Sequence, residues 1–368
     1  MRFAVGLILA ISSVQLTYEE TSVDAGSETL ILTHVLFRHG NRTADRQHEL
    51  YPNDPYLNED YYPYGNGQLT KAGKQKEYSI GKALRARYHD FLGDDYYPDI
   101  IEAFSTDYNR TKMSLQLVLA GLFPPNEEDM FEYGIQWQPV PFNYLPKDQD
   151  KILLGVLCPR YLALYDEVSQ SPEMLKEFGK YRDVFRYISE NTGLNVRKFF
   201  DVYNLYFGLS TEEEWGFDLP QWTKTVWPTT ITSLAIKEYF VSMATLEMRQ
   251  MATGYFLNKL IEDTKRKIIS SNLPGKKMFL YSAHESNLAE LLMALNVFTP
   301  HVPNYGAWIS IEVHFINNIY GVKVFYENHE EQGPRSLSLP NCGTFCPLDK
   351  FIQATAHLIP PEDMCGNL

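Results

Sequence analysis

Residues 30–43 read Leu30-Ile31-Leu32-Thr33-His34-Val35-Leu36-Phe37 and then Arg38-His39-Gly40-Asn41-Arg42-Thr43, an apolar β-rich run that opens into a loop of cations. An apolar run of this length, bounded by a polar loop, predicts a strand buried on both faces. The same grammar recurs twice. Ile100-Ile101-Glu102-Ala103-Phe104-Ser105-Thr106 leads into Asp107-Tyr108-Asn109-Arg110 and an apolar-periodic stretch to Leu122. Met278-Phe279-Leu280-Tyr281-Ser282-Ala283 leads into His284-Glu285-Ser286-Asn287 and a helical run over 288–295. Buried parallel strands followed by helices predict an α/β fold. In open sheets of that kind ligands gather beyond the carboxyl ends of the strands. All three loops place cations or a carboxylate at that edge.

Outward from these strands the texture changes. Between 140 and 255, segments 174–190 and 234–259 have helical spacing, and Trp215-Gly216-Phe217-Asp218-Leu219-Pro220 breaks them. This predicts a helical cap over 140–255, inserted into an α/β domain made of 18–139 and 256–368. Residues 308–315 and 320–326 alternate as a strand pair joined by a turn at Asn317-Asn318.

The whole chain of 368 residues carries 33 Lys+Arg against 46 Asp+Glu, a net charge of −13, with 44% hydrophobic residues, 25 Tyr and 21 Phe. So much apolar surface excludes a disordered chain. The negative charge disfavours nucleic acid as a partner, since an acidic surface repels a phosphate backbone. An anionic ligand must instead meet a local cluster of cations. Residues 1–17 begin Met1-Arg2-Phe3-Ala4-Val5-Gly6-Leu7-Ile8-Leu9, one cation before a short apolar run, which is the layout of a secretory signal peptide. No later stretch reaches the roughly 20 apolar residues of a membrane span, and the polar end Pro360–Leu368 reads as carrying no anchor. A secreted or lumenal product is expected. The four cysteines then predict two disulfides. Cys342 and Cys346 enclose three residues and predict a local clip, which leaves Cys158 for Cys365 across a long loop. No cysteine stands in zinc-ligand spacing, so no metal role is expected.

Arg38-His39-Gly40-Asn41-Arg42 sets two guanidiniums around an imidazole. Guanidiniums fork onto phosphate oxygens, and an anion shared between them relieves their repulsion. The glycine is expected to let backbone approach that ligand. Arg110 falls in the first turn of the second helix, with Ser105 or Asp107 as candidate N-cap, where free N–H groups favour anions. His284 offers another donor and Glu285 a carboxyl group able to carry a proton. The other histidines, His34, His48, His89, His301, His314, His329 and His357, are assigned structural or surface roles, and Asp60-Tyr61-Tyr62-Pro63-Tyr64 an exposed turn. The two Asn-x-Ser/Thr sequons, at Asn41 and Asn109, both contain one of these arginines. A glycan there would obstruct the pocket, so both are expected to stay bare.

Arg38-His39-Gly40-Asn41-Arg42-Thr43 resembles the RHGxRxP signature of the histidine acid phosphatases, the larger branch of the histidine phosphatase superfamily. Ser105-Thr106-Asp107-Tyr108-Asn109-Arg110-Thr111 is similar to that family's second arginine motif, and Ser282-Ala283-His284-Glu285 to its distal His-Asp motif. Further similarity runs through Gly67-Gln68-Leu69-Thr70-Lys71-Ala72-Gly73, Leu219-Pro220-Gln221-Trp222 and the Cys342/Cys346 clip, and is closest to the secreted and lysosomal animal enzymes, venom types included. The resemblance implies a mostly parallel, phosphoglycerate mutase-like sheet and an acid phosphatase acting on small phosphate monoesters without cofactor or metal. His39 would be the nucleophile and Glu285 the proton donor. Arg38, Arg42, Arg110 and His284 would hold the phosphoryl oxygens. Glu285 stands where the family usually has Asp, and Ala44 where it has Pro. Those departures open two further readings: a phosphate-pocket binding protein with weakened turnover, and an inositol polyphosphate phosphatase. Whether the chain works alone or as a homodimer is left open.

Overall fold

In a computed structural model, residues 28–270, 275–361 and 364–366 are described; the leader expected over 1–17 lies outside them. Strand β1 (Leu30–Arg38) is followed by helix α1 (Lys71–Leu92), β2 (Ile101–Ser105), α2 (Asn109–Leu122) and the short β3 (Asn143–Tyr144). Helices α3 (Pro159–Ser169), α4 (Pro172–Gly179), α5 (Arg182–Thr192), α6 (Phe199–Trp215), α7 (Thr229–Ser242) and α8 (Leu246–Arg249) come next. A π-turn at Gln250–Gly254 then leads into α9 (Tyr255–Ile269). Last come β4 (Met278–Ala283), α10 (Glu285–Ala294), β5 (Trp308–Ile316), β6 (Ile319–Glu327), β7 (Arg335–Leu337), β8 (Cys346–Pro347) and α11 (Leu348–Thr355).

The strands form one sheet in the order β3-β2-β4-β1-β5-β6-β7, with β8 also on β6. β3, β2, β4 and β1 run parallel, and β5 to β8 continue the sheet antiparallel. The register decides where the site falls. Arg38 pairs with Ala283, and Ser105 pairs with Ser282. The three loops foreseen in the sequence therefore leave the sheet at one level, side by side.

Alternation along β1 serves two cores. Leu32 and Leu36 face a layer containing α9, α10 and α11, whereas Val35 and Phe37 face α1 and α2. Both faces are covered, which is why the strand reads as a continuous apolar run. A third core joins Tyr51 to Phe185 and Ile188 of α5, Val202, Leu205 and Leu209 of α6, and Ile231 and Leu234 of α7. At Asn317 and Asn318 φ is +50° and +62°, the left-handed pair that a tight hairpin turn requires. The cysteines join as Cys158–Cys365 and Cys342–Cys346. Among the described residues no helix is long and apolar enough to cross a membrane.

Candidate active site

His39 follows β1, and its backbone N–H bonds to the Ala283 carbonyl across the parallel ladder. Its Nδ1 lies 2.9 Å from the Gly40 carbonyl. A carbonyl only accepts, so Nδ1 carries the proton and Nε2 keeps its lone pair. That lone pair faces Arg110, whose Nε–H donates to it at 3.2 Å. Burial, then Arg110, Arg38, His284 and Arg42, hold His39 well below the usual imidazole range. The shift favours the neutral imidazole, with its Nε2 lone pair available.

Three arginines converge here. Arg38 Nη1 donates to the Pro303 carbonyl at 2.6 Å, and its guanidinium lies 3.8 Å from the centre of the Tyr305 ring. Arg42 forms a two-pronged pair with the buried Glu49, at 2.7 Å for one prong, and also donates to the Thr43 carbonyl. Arg38 Nη2 and Arg42 Nε are buried without a hydrogen-bond acceptor. Buried donors of that kind normally have partners, and an anion's oxygens would supply them. His284 Nε2 meets the Thr106 hydroxyl at 3.1 Å, and its ring stands edge-on to His39 with centroids 5.6 Å apart. Burial and Arg110 bring His284 down to about 3.

Glu285 opens α10 beside His284. Its Oε1 accepts from the Tyr203 hydroxyl, and its Oε2 lies 3.6 Å from Arg38 Nε. Burial pushes the carboxyl up, but Arg38, Tyr203 and His284 together outweigh burial and hold it below the ordinary value. The six residues singled out in the sequence thus form one connected cluster.

The loop that carries them is braced by a segment whose part was not evident in sequence. Thr43 N–H bonds to the Gln68 carbonyl, Gly67 N–H to Ala44 and Thr70 N–H to Asn41. Thr70 also caps α1 through Gly73 N–H. A Cβ on Gly40 would stand 2.6 Å from the Gly73 carbonyl oxygen. Gly40 is therefore needed for close packing on the start of α1. Two expectations are corrected. Helix α2 begins after Tyr108 with no side-chain cap; Ser105 bonds to Thr106, and Asp107 pairs with Lys112. In the tyrosine turn Tyr62 is exposed, but Tyr61 is fully buried against Trp215 and Phe217. Asn41 donates to Glu214 at 3.0 Å, whereas the other sequon residue, Asn109, is exposed.

Several site residues come from outside the motifs: Glu49, Tyr203, Phe207 and Tyr305. Tyr203 and Phe207 share a face of α6 by four-residue spacing, and Phe207 lies under both Arg38 and Arg42 at 5.5 and 5.8 Å. Nothing in their residue types distinguishes them from core aromatics.

Fold and site together define a class: an α/β protein that gathers a buried imidazole and three guanidiniums at the carboxyl edge of parallel strands. The profile of the histidine phosphatase superfamily, branch 2, matches residues 29–327, and the chain belongs to that family. It is 38% identical over 331 residues to a venom acid phosphatase of Apis mellifera, covering 90% of this chain and 85% of that protein. It is 33% identical over 345 residues to the human lysosomal acid phosphatase, covering 91% and 79%. Among solved structures, a Klebsiella phytase superposes with a TM-score of 0.65 at 16% identity, over 91% of this chain and 98% of that one.

Proposed function

We propose that this chain is a secreted acid phosphomonoesterase that works through a phosphohistidine and needs no metal. The observation that carries the reading is the state of His39: proton fixed on Nδ1, lone pair on Nε2, ringed by three arginines. In the first step the phosphoryl group displaces the Arg110 contact. His39 Nε2 then bonds to phosphorus as the ester P–O bond breaks, and Glu285 gives its proton to the leaving oxygen. Arg38, Arg42, Arg110 and His284 hold the equatorial oxygens and stabilise their charge. In the second step Glu285 takes a proton from water, the hydroxide attacks phosphorus, and the P–N bond breaks. Guanidiniums supply the positive charge that a metal would otherwise provide. Two disulfides fit passage through an oxidising compartment.

The acid preference follows from the two kinds of group. His39 and His284 stay neutral on the acid side, so low pH does not remove the nucleophile. Glu285 must carry a proton, which Arg38 and Tyr203 oppose in the free enzyme and a bound phosphate dianion favours. Activity on an aryl phosphate is therefore expected to peak between about pH 4 and 6 and to fall as Glu285 ionises. His39→Ala should lower kcat at least about a thousandfold, as loss of a covalent nucleophile does. Quenching the wild type into alkali, where a P–N bond survives, should trap phosphoenzyme that His39→Ala lacks. The anchoring of Glu285 by Tyr203 and Arg38 favours one competing reading, a phosphate-binding protein with little turnover. Absence of both hydrolysis and trapped phosphoenzyme would select it.

A further inference from the structure

Beside the phosphate well lies a second, polar pocket of about 360 Å³, walled by Asp45, Gln68, Asp107, Tyr108, Arg110 and Lys147. Arg110 lines this pocket and also donates to His39, so the pocket adjoins the guanidinium proposed to hold a phosphoryl oxygen. Tyr108 joins the two sites physically. Its ring stands edge-on to His284 with centroids 4.9 Å apart, and the Arg110 guanidinium lies 4.6 Å from its centre. Lys147 Nζ lies 3.7 Å from the same ring centre. Guanidinium and ammonium are thus separated by at most the sum of those two distances, roughly 8 Å.

The pocket's charges are unevenly matched. Asp107 is already paired with Lys112 at 2.5 Å, and Asp45 faces Arg110 at 3.9 Å and accepts from Gln47 N–H. Among the described residues Lys147 has no hydrogen bond and no carboxylate; its one contact of charge is the Tyr108 face. An ammonium held on an aromatic platform one ring away from a phosphate ligand is placed to meet a second anion on the substrate.

We propose that this pocket selects phosphomonoesters whose leaving group carries a second negative charge that reaches Lys147 while the scissile phosphate is held by Arg110, the two cations lying within roughly 8 Å of each other. The inference rests on the phosphomonoesterase reading of the site and adds the class of substrate to it. A carboxylate and a second phosphate present the same charge to Lys147, so both chemistries belong to the class.

The test uses the purified enzyme and three matched aryl esters: phenyl phosphate, a carboxyphenyl phosphate and a benzene bisphosphate, at about pH 5.5. The readout is the ratio of kcat/KM for each charged ester to that for phenyl phosphate. Lys147 is exposed, and one exposed ion pair is worth up to about a fivefold preference. The ratio should therefore reach about three to five for at least one charged ester, which also names the anion preferred, and should shrink at high salt. Lys147→Arg should keep that ratio and Lys147→Glu should bring it below one. A ratio of one in the wild type, or a preference that survives Lys147→Glu, overturns the subsite and leaves the phosphatase reading intact. No turnover of any ester overturns both.

Discussion

At the scale of single residues the site depends on what holds each charge in place. Removing Glu49 would leave Arg42 buried with one carbonyl as its sole acceptor, and an uncompensated buried charge of this kind costs about 3–5 kcal/mol. Glu49 is thus a positioning residue of the phosphate loop. Tyr203 plays that part for Glu285, the proposed proton donor, and its substitution has a definite sign. Its hydroxyl stabilises the Glu285 carboxylate and so lowers the carboxyl's pKa. In Tyr203→Phe that stabilisation is gone, Glu285 keeps its proton to higher pH, and the alkaline limb of kcat/KM moves upward. Turnover at the acid optimum should change less than about tenfold, the worth of one hydrogen bond. A profile that keeps its limb would show that another group sets the alkaline fall. His39, Arg38, Arg42, Arg110, His284 and Glu285 were legible in the sequence because each stands at a strand end in a polar loop. Glu49 and Tyr203 were not. One is an acid among 46 and the other a tyrosine among 25, and only the folded chain brings them to a partner.

At the scale of elements, the three β-loop-helix units were readable because strands covered on both faces leave continuous apolar runs. Their register was not, since the pairing of Arg38 with Ala283 is a property of the ladder. The part taken by α6 was also hidden. Its sequence, apolar around much of its circumference, signals burial and nothing of the site, yet it brings Tyr203 to Glu285 and Phe207 beneath two arginines. Close packing of α6 on the phosphate loop goes through Gly208. A Cβ there would stand 2.3 Å from the Glu49 carbonyl oxygen, a backbone atom that cannot rotate away. Gly208→Ala must displace either α6 or the segment holding Glu49. Overpacking of this sort costs about 1–3 kcal/mol, so Tm should fall and KM for an aryl phosphate should rise as the Arg42–Glu49 pair shifts. A variant with unchanged Tm and KM would mean that helix and loop are not in tight contact.

At the scale of the whole molecule, the acidic composition includes a second population of carboxyls that burial pushes toward the protonated form. Glu77, Glu212, Glu238 and Glu290 are buried, and each has at least one oxygen without a donor. Burial raises all four: Glu238 to about 8, Glu212 to about 9 with help from Asp54, and Glu77 and Glu290 well above the ordinary range. In the unfolded chain they ionise near pH 4.3. The stability they contribute is fully present below that value and is lost as pH rises through the folded values. Three histidines act in the opposite sense. His34 and His284 are held down to about 3 by burial, and His39 is also far below its ordinary value, so all three stay neutral when folded but take up protons near pH 6.5 when unfolded. From pH 8 to about 6.5 the glutamates act alone, and stability must climb as pH falls. Between about 6.5 and 4.5 the protons held by the folded glutamates and those gained by the unfolded histidines nearly offset, and the curve flattens. Below about 4.5 the unfolded glutamates also bind protons, Glu285 and Glu312 lose the partners that depress them, and stability drops. Thermal unfolding at constant ionic strength should trace that climb, plateau and fall. Glu77→Gln, which removes one of the four, should make the climb from pH 8 to 6.5 shallower. A Tm that increases steadily from pH 5 to pH 8 would contradict the reading, because it requires the buried glutamates to be ionised in the folded chain.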